Sequence, residues 1–184
     1  MLPLSELCRS ITMKLPDPLR ALSEHERYRA GCSTHDFARW TDEEGREHYY
    51  LFGALDIPLA PTEGDVFNWG LWVEVEKAFH DAYYDAYQTP AADDLAAEGV
   101  VANEGPGYED ALGARVRIVC HADRRPEVTP LEGTLLADQT SGLTEARHRE
   151  LDELLFGDDE EEEGADDAEL FDEDDERRVP TPPT

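Results

Sequence analysis

Phe67-Asn68-Trp69-Gly70-Leu71-Trp72-Val73-Glu74-Val75 is the stretch on which the fold turns. In an extended chain successive side chains point to opposite faces. Phe67, Trp69, Leu71, Val73 and Val75 therefore share one face. That pattern is a strand with one wholly apolar side. Trp72 has the opposite parity, so the two tryptophans cannot lie on one side of a regular strand. One of them is expected on the outer face, covered by a helix or exposed. Gly70 between them suggests a bulge or a close backbone approach.

The neighbouring segments extend this reading. His48 to Ile57 is rich in aromatic and branched residues and reads as a strand that stops at Pro58. Pro61-Thr62-Glu63-Gly64-Asp65 is turn material. After the first stretch, a helix is predicted from about Glu76 to Tyr87, because Phe79, Tyr83 and Tyr87 recur at i, i+4 and i+8. Thr89-Pro90 ends it. Gly99 to Asn103, Ala114 to His121 and Glu127 to Leu131 read as further strands. Ser23-Glu24-His25-Glu26 is a capping box opening a short helix to Ala30. Thr144 can cap a last helix running to about Phe156. Together these predict an α+β fold: a mostly antiparallel sheet of about five strands with about three helices packed on it.

Charge divides the chain. Its 184 residues hold 44 acidic and 16 basic side chains, a net charge of -28. From Asp158 to Glu176, 14 of 19 residues are Asp or Glu. Such a run repels itself and buries too little apolar surface to offset its ordering entropy. Residues 1–157 are expected to form a single α+β domain, and 158–184 a disordered acidic tail. The tail carries -12 (14 acidic, 2 basic) and the remainder -16 (30 acidic, 14 basic). This charge argues against nucleic acid, whose phosphates need clustered Lys and Arg. It also argues against an anionic membrane surface and favours a basic protein partner. Three scattered cysteines, Cys8, Cys32 and Cys120, do not make a disulfide framework and suit a reducing cytoplasm. No secretory signal opens the sequence, and no apolar run is long enough to span a bilayer.

Tyr49-Tyr50-Leu51-Phe52-Gly53-Ala54-Leu55-Asp56-Ile57-Pro58, followed by the Trp69-Gly70-Leu71-Trp72 block, resembles a bacterial domain-of-unknown-function family, number 2199. The likeness continues through Leu15-Pro16-Asp17-Pro18, Glu24-His25-Glu26-Arg27, Gly107-Tyr108, Arg125-Pro126 and Ala137-Asp138-Gln139-Thr140-Ser141-Gly142. It spans roughly residues 14–157. The resemblance implies an N-terminal Cys-x-x-Cys zinc knuckle, which this chain departs from because Cys8 stands alone there. It also implies an Asp-His-Pro in the late block, absent from Leu131-Glu132-Gly133-Thr134-Leu135-Leu136-Ala137. The family implies no activity.

No Gly-x-Ser-x-Gly, P-loop or Gly-x-Gly-x-x-Gly occurs, and no motif implies a cofactor or a catalytic residue. Cys32 and His35 form one zinc half-site, which Cys8 and His25 could complete; the alternative is an ordinary Cys-His pair. Cys120 shares parity with apolar Val116 and Ile118 and is expected to be buried and inert, facing away from His121. Trp69, Trp72, Tyr83 and Tyr87 are candidates for ligand or partner contact, against the reading that they are core. Leu170 and Phe171, inside the acidic run, are candidates for docking onto a basic groove. The first expectation is a non-enzymatic acidic protein that engages a basic partner, in an immunity or antitoxin-like role. The alternatives are a small-ligand binder or enzyme with an aromatic pocket near Trp69 and Trp72, and a zinc-bound regulatory domain.

Overall fold

The computed structural model describes residues 6–60 and 64–157, apart from the side chains of Ala30 and Cys32. Among them the chain order is β1 (Ser10–Thr12), α1 (Asp17–Arg20), α2 (Glu24–Ala30), β2 (Gly31–Ser33), β3 (Phe37–Thr41), β4 (Glu47–Pro58) and β5 (Val66–Val75). Then come α3 (Lys77–Ala86), a 3-10 turn at Pro90–Asp94, β6 (Ala96–Val101), β7 (Arg115–Val119), β8 (Glu127–Pro130), α4 (Gly133–Ser141) and α5 (Glu145–Phe156). The fold is α+β, as the alternation predicts. The described strands number eight rather than about five, joined in the order β1-β5-β6-β7-β8-β4-β3-β2.

The two strands read first pair with each other. β4 and β5 run antiparallel in register from Tyr49↔Val75 to Pro58↔Val66. β4 also pairs in parallel with β8 at Ala54↔Glu127, so β4, β5, β6, β7 and β8 close into a five-strand ring. Gly53 makes the closure possible. A Cβ there would lie 2.5 Å from Val128 Cγ2 and 3.1 Å from the Pro126 carbonyl, nearer than side-chain carbons approach.

Parity sorts the apolar residues into two cores. Leu51, Leu55, Ile57, Phe67, Trp69, Leu71, Val73 and Val75 pack with Val116, Ile118 and Val128 of the ring, and with Tyr83, Leu135 and Leu151 of the helices. On the other face of the β4–β5 pair, Tyr50, Phe52 and Trp72 pack with Leu19, Ala38 and Ala102. Phe52 and Trp72 are registered neighbours, with rings edge to face at 5.3 Å. The close approach expected at Gly70 is the Phe52 ring, whose Cζ would stand 2.5 Å from an added Cβ.

The N-terminal segment closes the second core. β1 adds to β5 in parallel, and Met13 N–H donates to the Gly70 carbonyl at 2.9 Å. The Trp72 indole donates to the Met13 carbonyl at 3.0 Å. Asn103 locks the arrangement from a fully buried position. Its Oδ1 accepts from the Trp72 N–H at 2.8 Å, and its Nδ2 donates to the Leu15 carbonyl at 2.9 Å. The helices follow their local signals where those exist. The capping box at Ser23 and Glu26 forms, and Thr144 accepts from Arg147 N–H at the start of α5.

Replacing Asn103 with Leu removes the acceptor of the buried Trp72 N–H and the donor to the part-buried Leu15 carbonyl. Each orphaned group costs about 1–3 kcal/mol. The N103L protein is expected to lose about 3 kcal/mol in urea unfolding; a loss under about 1 kcal/mol contradicts this account.

Candidate functional site

The aromatic residues singled out by sequence are interior. Trp69 is 0% exposed and Trp72 1%, so neither is the exposed tryptophan that the parity argument allowed. They do lie on opposite faces, but each face is covered. Trp69 stacks near Tyr108 and meets the backbone of Gly105. Tyr83 is 1% exposed, and Tyr87 is half-buried with its hydroxyl donating to Asp36 Oδ2 at 2.7 Å. Leu170 and Phe171, with the acidic run itself, lie outside the described residues.

The metal candidates do not assemble among the described atoms. Cys8 Sγ donates to the Ser10 carbonyl at 2.9 Å, while His25 and His35 are exposed. The Cys32 side chain is not described. No three His, Cys, Asp or Glu side chains among the described residues gather as a metal-binding group. Cys120 is fully buried, and desolvation pushes its thiol up to about 12. A thiolate nucleophile is therefore not available there at neutral pH.

Of the histidines, His48 makes the closest contacts with carboxylates. Its Nδ1 lies 2.7 Å from Glu74 Oε1 and its Nε2 3.2 Å from Asp42 Oδ2, with Trp40 stacked on the ring at 5.1 Å. Asp42 is itself held well below the usual carboxylate range, first by the Arg46 backbone N–H. Beside Glu74 opens a groove of about 520 Å³, lined by Glu47, Glu74, Glu76 and Glu98 over a floor that includes Tyr49, Val75 and Val100. Glu47 and Glu76 form no ion pair among the described residues. Lys77 is the single cation on the lining. Its ammonium sits 4.8 Å above the Tyr49 ring and pairs with Asp81 at 2.8 Å.

A second region has the opposite character. A cavity of about 340 Å³ is lined by Asp36, Tyr83, Tyr87, Gln88 and the segment His121 to Arg125. A cavity of about 440 Å³ is lined by Thr12, Met13, Lys14, Leu15, Ser33, Thr34, His35, Phe52, Trp72 and Arg125. Arg125 is common to both. His121 Nε2 lies 3.2 Å from Arg124 Nη2 and 3.8 Å from Glu127 Oε2. Sequence reasoning missed Arg125 as a site residue. The signal available was its place in the Arg125-Pro126 pair of the family likeness.

A family model described as "Uncharacterized protein conserved in bacteria (DUF2199)" matches residues 3–143. The chain belongs to that family. The DUF2199 span takes in all eight strands and α4 and leaves α5 beyond it. It starts earlier and stops sooner than the 14–157 read from sequence. Comparison with curated proteins finds no match, and comparison with solved structures finds none.

The His48 contacts set a pH dependence. Burial disfavours the imidazolium, but hydrogen bonds to Glu74 and Asp42 outweigh it and raise the pKa above 6.5. Only the imidazolium donates from both nitrogens. A group whose folded pKa is raised contributes stability fully below its unfolded pKa and loses it as pH rises through the folded value. The stability difference between the wild type and His48→Gln is therefore expected to be largest below pH 6.5 and to shrink in alkaline solution. Urea unfolding of both proteins across that range checks it; a difference that grows with pH contradicts it.

Proposed function

We propose that the protein is a non-enzymatic acidic binding protein that engages a basic protein partner, in an immunity or antitoxin-like role within the cytoplasm. The observation that carries this reading is the carboxylate groove on a part of the chain that is already -16 without its tail. A Lys or Arg side chain has an apolar stem and a cationic head. The groove offers the matching order, with Tyr49, Val75 and Val100 for the stem and Glu47, Glu74, Glu76 and Glu98 for the head. Lys77 is an internal example, since it sets its ammonium over Tyr49 and against a carboxylate. A surface of one sign accelerates encounter with a partner of the other sign and repels like-charged competitors. The acidic tail residues 158–184 extend the same sign. In this role the protein would cover a surface that a basic partner otherwise offers to polyanions.

The test is a low-salt pull-down with the full chain, a chain ending at Gly157, and the triple variant Glu47→Gln/Glu76→Gln/Glu98→Gln. The expected outcome is recovery of a basic protein by the full chain and loss of it in the triple variant. Elution is expected in 1 M salt, where the screening length falls to about 3 Å. Recovery of no basic protein by either the full or the shortened chain overturns the reading. So does a basic partner that the triple variant retains equally well.

A further inference from the structure

The geometry points to a second binding site, for a small organic anion, at the two cavities that share Arg125. Its charge is opposite to that of the rest of the molecule. On a chain of net charge -28, three cations line these cavities, Lys14, Arg124 and Arg125, against two carboxylates, Asp36 and Asp123. One of those carboxylates is already committed. Asp36 Oδ1 accepts from Arg125 Nε at 3.1 Å, and its Oδ2 accepts from the Tyr87 hydroxyl. Asp36 therefore serves to orient Arg125.

The other support of Arg125 is aromatic. Its guanidinium carbon sits 4.6 Å from the centre of the Phe52 ring. A ring face and a carboxylate on Nε together fix the plane of the guanidinium. The two terminal nitrogens make no hydrogen bond among the described residues. An arginine held by Nε with its fork unoccupied is preorganised for bidentate pairing with a carboxylate or phosphate. Ordering such a side chain is part of the usual cost of binding, and here it is already ordered.

The larger cavity gives the rest of the ligand its character. Phe52 and Trp72, almost wholly buried at 3% and 1% exposure, show only their margins to it, and Met13 and Leu15 line it half-buried. Lys14 and His35 have no ion-pair or hydrogen-bond partner among the described residues. The ligand class is thus an anion with an apolar body: the carboxylate or phosphate on the Arg125 fork, the body in the cavity lined by Met13, Leu15, Phe52 and Trp72, and Lys14 adding charge. The acidic groove plays no part in this site, so the two readings stand or fall separately.

Titration of the full chain with benzoate, phenyl phosphate and inorganic phosphate, followed by amide and side-chain NMR, tests it. The expected result is saturable shifts of the Arg125 Nε–H and the Trp72 indole N–H with one or both ring-bearing probes, at a Kd near or below about 1 mM. Benzoate and phenyl phosphate separate a carboxylate site from a phosphate site. Inorganic phosphate, lacking the body, is expected to bind at least tenfold more weakly than phenyl phosphate. Arg125→Gln is expected to weaken binding at least tenfold, and Lys14→Gln, at an exposed position, several-fold without loss of folding. Shifts that never saturate, or that spread over exposed Lys and Arg side chains generally, overturn the site. So does Lys14→Gln and Arg125→Gln protein that binds as the wild type does. If Arg125→Gln fails to fold, the wild-type shift map and the Lys14→Gln titration still decide.

Discussion

The structure depends on one constraint: the β4–β5 pair carries large apolar side chains on both faces. Phe67, Trp69, Leu71, Val73 and Val75 of β5 face one way, and Trp72 with Tyr50 and Phe52 of β4 the other, so neither side of the pair can be left to water. Burying a large aromatic or aliphatic side chain is worth about 1.5–3 kcal/mol, and both faces carry several. The chain answers each face differently. On one, β6, β7 and β8 curl round until β8 meets β4 at Ala54, and α3, α4 and α5 add Tyr83, Leu135 and Leu151 to the same core. On the other, β1 joins the edge of β5 and α1 brings Leu19 against Phe52 and Trp72. Asn103 then satisfies the backbone that this second layer buries.

The same two-faced strand pair separates the charges. Where the pair ends at Tyr49 and Val75, the carboxylates of Glu47, Glu74, Glu76 and Glu98 stand together in a groove. Where the N-terminal segment and the β7–β8 connection come together over Phe52, the cations collect instead. A uniformly acidic surface would be the simplest outcome for a chain of this composition. Keeping Arg125 ordered amid so many carboxylates takes a specific partner, and Asp36, fixed by Tyr87, is that partner.

Much of the frame was legible in the sequence, because β4, β5, α3, α2 and α5 have local signals: period-two alternation, an aromatic stripe, a capping box, a capping threonine. The elements that escaped have none. β1 is three residues, Ser10–Thr12, whose pairing is parallel and distant. In β3, both parities carry an aromatic ring, Phe37 on one and Trp40 on the other, so alternation is absent. α4 has no side-chain cap of its own. Asp110, from a loop twenty-four residues earlier, accepts from both the N–H and the hydroxyl of Thr134. The burial of Trp69 and Trp72 was half readable. Parity placed them on opposite faces, but only the return of the N-terminus shows that the second face is covered. Arg125 carried only its place in the Arg125-Pro126 pair, since the carboxylate that holds it, Asp36, is eighty-nine residues away.

The covering of the second face also explains why a ligand site arises there and not over the first. The ring core is closed by complete strands and helices whose side chains interlock, with Trp69 against Gly105 and Val128 against Gly53. The second core is closed by Thr12 to Leu15, a segment held mainly through backbone contacts: Met13 to Gly70, the Trp72 indole to Met13, Asn103 to Leu15. A layer fastened largely through its backbone need not fill the space beneath it, and Met13, packed against both cores, lines a cavity together with Lys14 and Leu15. The cavity exists only while that layer is docked. Whatever occupies it must therefore stabilise the docked N-terminus by mass action, by an amount that grows as the logarithm of its concentration over Kd. Occupancy and the integrity of the second core are in this way two readings of one equilibrium.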